Sequence, residues 1–235
     1  MVPPYKIEAD LKKKINKDGL RTIYLLYEGQ NTEHCLINPL LSSNSIVRGG
    51  LVRFRPITKE GNDVGITDPF SLVKYAKTFV KQEIKNKQFI SGKDKVMIFF
   101  DLDRLDNNQE KMDLLLKEKT NDMIFCYTNP AIELFLLLTI IQGYERIVEP
   151  NKAKIIANQR NDRGERFVYG LAVDNIPGYS KREDADFRFI LDNIGNALMQ
   201  EKRINNKLTK ASNSLTSNIA YVLNKIAKND FDFEY

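Results

Sequence analysis

The chain has 235 residues, a formal net charge of +5, one histidine and two cysteines, a length that suits one domain or one domain with a helical extension. No apolar run approaches the roughly eighteen residues of a membrane span; the longest, 131–141, is interrupted by Glu133, and Met1–Lys6 lacks the apolar stretch of a secretory signal. His34 is alone, which excludes a site built on several histidines, and Cys35 and Cys126 show neither metal spacing nor a disulfide framework, so a reduced, cytoplasmic setting is expected.

In chain order, 22–27 is a hydrophobic run that predicts a strand and closes on Glu28-Gly29. A helix is expected from Asn31 to Leu41 and a short strand at 51–55. Asp68-Pro69 starts the next helix, because Asp caps free amides and Pro tolerates the first helical position. That helix runs to about Lys87, its apolar stripe made by Leu72, Val73, Ala76, Val80 and Ile84. A strand at 96–100 closes on Asp101 and Asp103, and a helix follows at 109–119.

Residues 123–127 predict another strand, after which Asn129 as cap and Pro130 as first residue are expected to open an apolar helix through Ile141. Residues 144–180 mix charges and glycines and read as a helix and loops, with two more helices near 184–204 and 214–228. Strands apolar on both sides and joined by crossovers indicate an α/β fold: a mostly parallel sheet covered by helices on both faces, with a C-terminal helical extension. The expected division is a lead-in at 1–19, an α/β core at 20–142, and a loop and helical extension at 143–235 packed on that core.

Carboxylates delivered by the ends of buried strands are costly unless something neutralises them. In parallel sheets ligands bind beyond the carboxyl ends of the strands, and Glu28, Asp101 and Asp103 fall at that edge. If the strand continued past Phe100, Asp101 and Asp103 would share one face and could converge on a Mg²⁺ ion, with Mn²⁺ as substitute. Glu28 enters from the neighbouring strand as a ligand or as a proton-transfer group, a choice that burial and metal charge decide. Taken alone, an Asp-Leu-Asp is also a common way to end a strand.

Glu33 and Glu133 join the candidate acids, although Glu133 in a first helical turn also complements the helix dipole. Asp106 is an accessory acid or a turn cap. Gly29 permits close backbone approach beside Glu28, and His34 is a structural or substrate-contacting residue, or an acid–base group. Arg160, Arg163 and Arg166 flank Gly164 and could clamp phosphates, with loop solvation as the alternative. From Met199 to Lys228 there are six basic residues against Glu201 alone; among them Lys207 and Lys210 are candidate backbone contacts for a polyanion. The bland alternative is a solvated lysine-rich face. No GxxxxGK[ST] or GxGxxG occurs, so intrinsic nucleotide hydrolysis is not supported.

Glu28-Gly29-Gln30-Asn31-Thr32-Glu33 resembles the EGxxTE motif of the RloB-like family, small proteins with a TOPRIM-type fold. Asp101-Leu102-Asp103 is similar to the family's DxD element, and Thr128-Asn129-Pro130-Ala131-Ile132-Glu133 to its SNPxxE segment. Asn213-Ser214-Leu215-Thr216-Ser217-Asn218-Ile219 resembles the polar start of its last helix. Gln30 replaces the family's usual Glu, and Phe135 stands where an aromatic-rich segment usually has Trp. The resemblance implies a Mg²⁺-dependent nuclease-like core serving bacterial defence against phage, often beside a companion ATPase. It casts Glu28 as the acid–base residue, Asp101 and Asp103 as metal ligands, and Glu33 and Glu133 as supporting acids.

The leading expectation is therefore a Mg²⁺-dependent endonuclease acting on RNA, tRNA included, or DNA. The alternative is a catalytically silent TOPRIM-fold nucleic-acid-binding or regulatory subunit of an ATPase-containing complex. Topoisomerase- or primase-like chemistry ranks below both, for want of extra domains and a placed nucleophilic tyrosine. The partners expected are nucleic acid, an ATPase and a second copy of the chain, with no membrane.

Overall fold

The computed structural model describes residues 21–28, 52–59, 61–179, 190 and 192–235. The expected 31–41 helix, with Gly29, Glu33, His34 and Cys35, lies outside the described residues. Strands β1 (Arg21–Tyr27) and β2 (Val52–Pro56) precede helix α1 (Pro69–Lys85), followed by β3 (Lys95–Asp101) and α2 (Gln109–Glu118). Then come β4 (Met123–Asn129), α3 (Glu133–Thr139), α4 (Lys152–Ala157) and α5 (Phe167–Asn175). Helix α6 (Ile194–Glu201), the short β5 (Thr216–Ser217) and α7 (Ile219–Ala227) complete the order.

The strands form one sheet in the order β2-β1-β3-β4-β5. The first four are mutually parallel, and β5 runs antiparallel to β4. This is the expected α/β architecture, with helices on both faces and a helical C-terminal region. The chain leaves β1 for β2 on one side and returns to β3 on the other, so the switch point of the sheet lies between β1 and β3.

Alternation along the strands explains why both faces are covered. Val96, Ile98 and Phe100 of β3, with Phe125 and Tyr127 of β4, join Leu72, Val73, Ala76, Met112 and Leu115 from α1 and α2 on one face. Met97, Phe99, Ile124 and Cys126 point the other way, onto residues of α3, α5, α6 and α7. The helices after residue 143 thus share a continuous core with the sheet. No described helix is long and apolar enough to cross a membrane.

Local signals account for most boundaries. Asp68 caps α1, its carboxylate accepting from the Ser71 N–H at 2.9 Å, with Pro69 as first helical residue. The expected helix start at Asn129-Pro130 is corrected: β4 continues through Asn129, where it pairs with Thr216 of β5, and α3 begins at Glu133. The Asn129 amide is used elsewhere, donating to Asn107 Oδ1 and to the Ala211 and Ser214 carbonyls at 2.9–3.0 Å. The apolar helix expected to reach Ile141 ends at Thr139. Gln200 donates to the Leu138 and Ile140 carbonyls at 2.8 and 2.7 Å, satisfying carbonyls at the buried end of α3.

The 214–228 helix is likewise shorter than expected, because Thr216-Ser217 is a strand and Asn218 serves as an edge partner for β4. Its side chain accepts from the Tyr127 N–H and donates to the Phe125 carbonyl, both at 2.9 Å. The polar 213–219 segment is therefore a structural splice between sheet and last helix. From the expected 184–204 helix, the described part is α6.

Candidate acidic site at the sheet switch point

Parallel pairing of Tyr27 with Phe99 brings the residue after β1 beside the end of β3. Glu28 is 5% exposed there. Its N–H donates to the Phe99 carbonyl at 3.2 Å, so the strand ladder fixes its position. One carboxylate oxygen accepts from the Asp101 N–H at 3.1 Å and the other from Arg104 Nε at 2.9 Å. Lys59 donates to the Glu28 carbonyl at 2.9 Å and to the Ile66 carbonyl at 2.8 Å, tying the following segment to the end of β1.

Asp101 and Asp103 do not continue along one strand face. Asp101 ends β3 and Asp103 falls in the 3₁₀ turn Leu102–Leu105, whose tighter winding redirects its side chain. Asp101 Oδ1 accepts from the Thr128 hydroxyl at 2.8 Å. Asp103 faces Arg166 across 3.6 Å, too long for a direct hydrogen bond but close enough for attraction. Asp106 ends the same turn at φ 56° and pairs with Lys111 at 2.7 Å, which makes it a turn cap.

Among the described residues, Arg104 and Arg166 bring positive charge to these acids. Burial works against the Arg104 charge, but the carboxylates of Glu28, Asp103 and Asp101 outweigh it and raise its pKa above the ordinary guanidinium value. Sequence reading missed Arg104 because pairing with Glu28 depends on the turn after β3. It also missed Thr128 as a holder of Asp101, and Lys59.

The other described candidates sit on separate elements. Glu133 is 1% exposed in the first turn of α3 and accepts from the Tyr179 hydroxyl at 3.1 Å. Lys207 is exposed and pairs with Glu234 at 3.2 Å, and Lys210 is exposed beyond it. Arg160 and Arg163 are exposed on a tight turn closed by the Arg160–Arg166 bridge. Asn161 organises that turn, accepting from the Arg163 and Glu165 N–H groups at 3.0 Å. Gly164 supplies φ +77°, a conformation that L side chains rarely adopt. Arg166 closes the turn, donating to the Asn158 carbonyl at 3.1 Å while facing Asp103. The turn is therefore attached to the acidic edge. Asp162 and Glu165 temper its charge, so it offers individual guanidiniums rather than a broad positive field.

The donor set does not fit a Mg²⁺ site as described. Among the described residues no group of three or more His, Cys, Asp or Glu side chains is arranged to hold a metal ion. The Glu28 oxygens are turned to an amide and a guanidinium, and Glu133 is engaged by Tyr179. Cys126 is fully buried and burial pushes its thiol well up, so it is no ligand or nucleophile.

No curated protein and no solved structure matches the chain. The family model described as RloB-like protein matches residues 23–226, a span that takes in Glu28, the Asp101–Asp103 turn, the arginine turn and the Asn218 splice. The chain belongs to the RloB-like family.

Proposed function

We propose that this protein is a TOPRIM-like nucleic-acid-binding or regulatory subunit that engages RNA or DNA at the carboxyl edge of its parallel sheet. Its assembly with an ATPase in a phage-defence complex is the setting that RloB-like membership suggests. The observation that carries the reading is the approach of Arg166 to Asp103, because it joins an arginine-bearing turn to the sheet's switch point. Acids alone at that edge would repel a phosphate backbone. Arginines held against them supply planar, permanently charged donors that match phosphate oxygens. Phosphate contacts of this kind position a strand without distinguishing RNA from DNA.

A second reading, metal-dependent endonuclease, is favoured by one observation. Glu28 and Asp101 meet at neighbouring strand ends, with an amide–carboxylate bond of 3.1 Å between them. In that reading Glu28 and Asp103 would exchange their arginine partners, and Asp101 its Thr128 hydroxyl, for Mg²⁺ or Mn²⁺, with Glu33, which lies outside the described residues, as a supporting acid.

One experiment tests both. The full chain is incubated with labelled tRNA, single-stranded RNA and DNA, with and without Mg²⁺ or Mn²⁺, beside Glu28→Gln, Asp101→Asn and Arg163→Ser. The binding reading expects salt-sensitive binding, weakened in Arg163→Ser, without cleavage. Metal-dependent cleavage abolished by both acid substitutions would establish the nuclease instead. Absence of binding at low salt would remove the proposed function.

A further inference from the structure

A groove of about 690 Å³ runs between α4 and α5 and is closed at one end by the arginine turn. Its walls carry Lys154, Arg160, Arg166, Phe167, Gly170 and Asp174. We propose that this groove takes one or two nucleotides of a single-stranded nucleic acid, with a base against Phe167 and the adjoining phosphates toward Arg160 and Arg166. The inference rests on the nucleic-acid-binding reading and adds to it the strandedness of the ligand and the place where bases go.

Three features support it. The volume lies within the range of pockets that enclose small ligands, and a paired, stacked duplex presents no free base face to fill it. Phe167 is half-buried, and the Lys154 ammonium lies 5.9 Å from its ring centroid. Cations beside an aromatic face are the combination that holds unstacked bases with little regard for sequence. Charge then sets the polarity of the site. Asp174 repels phosphate from its part of the groove, while Arg160 and Arg166 attract it at the end that leads to Asp103. A strand lying in the groove would therefore continue toward the sheet's switch point, where Glu28 and Asp101 stand.

Gly170 provides a test that leaves every charge in place. A Cβ added there meets nothing within 4 Å, so the side chain of Gly170→Leu starts in open space on the groove wall. The test measures fluorescence anisotropy of labelled single strands of about 20 nucleotides, dT and U, and a duplex of equal length, against the full chain. Gly170→Leu and Phe167→Ala should each weaken single-strand binding about 5- to 100-fold and leave duplex binding unchanged. Arg160→Ser should lower the slope of log affinity against log salt by about 0.7, and Gly170→Leu should not change it. Thermal melts of each variant confirm that the fold is retained. Single-strand binding at wild-type strength in both Gly170→Leu and Phe167→Ala, with Arg163→Ser still defective, overturns the groove assignment and leaves the broader reading standing. Failure of the unaltered chain to bind any strand overturns both.

Discussion

Arg104 Nε donates to Glu28 Oε1 at 2.9 Å, and this pair decides how a buried carboxylate is tolerated at the switch point of the sheet. Glu28 is 6% exposed in its side chain and Arg104 is 55% exposed. The acid therefore depends on a partner that solvent can reach and a ligand can compete for. An anion that draws Arg104 away would remove that guanidinium from Glu28, which couples the occupancy of this edge to the charge balance of the strand ends.

Arg104→Gln is expected to destabilise the protein by about 1–2 kcal/mol, less than a fully buried pair would lose, because water screens the exposed side of the guanidinium. Repeating the change in a Glu28→Gln background should recover at least about 0.5 kcal/mol of that loss. Urea denaturation of the four proteins measures the coupling. An additive cycle would mean that the contact contributes no net stability.

Thr128 is 1% exposed and donates to Asp101 at 2.8 Å, so its hydroxyl positions the acid that ends β3. Thr128→Val should cost about 1 kcal/mol by leaving a carboxylate oxygen short of a donor, while Thr128→Ser should stay within about 0.5 kcal/mol of the parent. Equal losses in the two variants, again by denaturation, would assign the effect to packing rather than to the hydrogen bond.

Legibility in the sequence followed the range of the interaction. The strands were readable because a strand covered on both faces must be apolar at successive positions, as Val96 to Phe100 are, and Glu28 and Asp101 were found because they interrupt such runs. The cap at Asp68 was local and readable for the same reason. Asn129-Pro130 carried the same local signal but was misread, since pairing with Thr216 extends β4 and claims the Asn129 amide for distant carbonyls. Arg104 had no signature of its own, and Arg166, a candidate phosphate clamp beside Gly164, carried no sign of its pairing with Asp103. One is aimed by the 3₁₀ turn that follows β3, the other arrives from a turn more than sixty residues after Asp103. Expecting a divalent cation as the simplest neutraliser of the acids leaves those internal cations out of account.

Two glycines near α3 and α5 should respond in opposite directions to the same substitution. A Cβ at Gly143 would lie 2.1 Å from the Leu137 carbonyl oxygen, so backbone must move to admit it. Gly143→Ala should cost about 1–3 kcal/mol. Gly170 is helical with open space around its Cβ position, and Gly170→Ala should add up to about 1 kcal/mol through helix propensity. Denaturant midpoints of the two single variants provide the comparison, and a loss in Gly170→Ala would show that the groove wall needs a bare backbone.

Glu201 ends α6 and is 3% exposed, accepting from the Ser217 hydroxyl and from the Ala220 and Tyr221 N–H groups at 3.0 and 2.9 Å. Burial pushes its pKa up, and although these bonds pull it down the net direction is upward. The folded protein therefore keeps this proton to higher pH than the unfolded chain, whose Glu titrates near about 4.3. Stability from the protonated group is complete below that value and declines as pH rises through the raised folded pKa. Glu201→Gln stays neutral throughout, with a constant penalty because its amide NH₂ must face one of the donors that the carboxylate accepts. The stability of Glu201→Gln relative to the parent should thus rise from about pH 4 upward and level off above the folded pKa. Urea midpoints across that pH series read the difference directly; a flat difference, or one that falls with pH, would show that the three hydrogen bonds outweigh burial and keep the carboxylate ionised within the core.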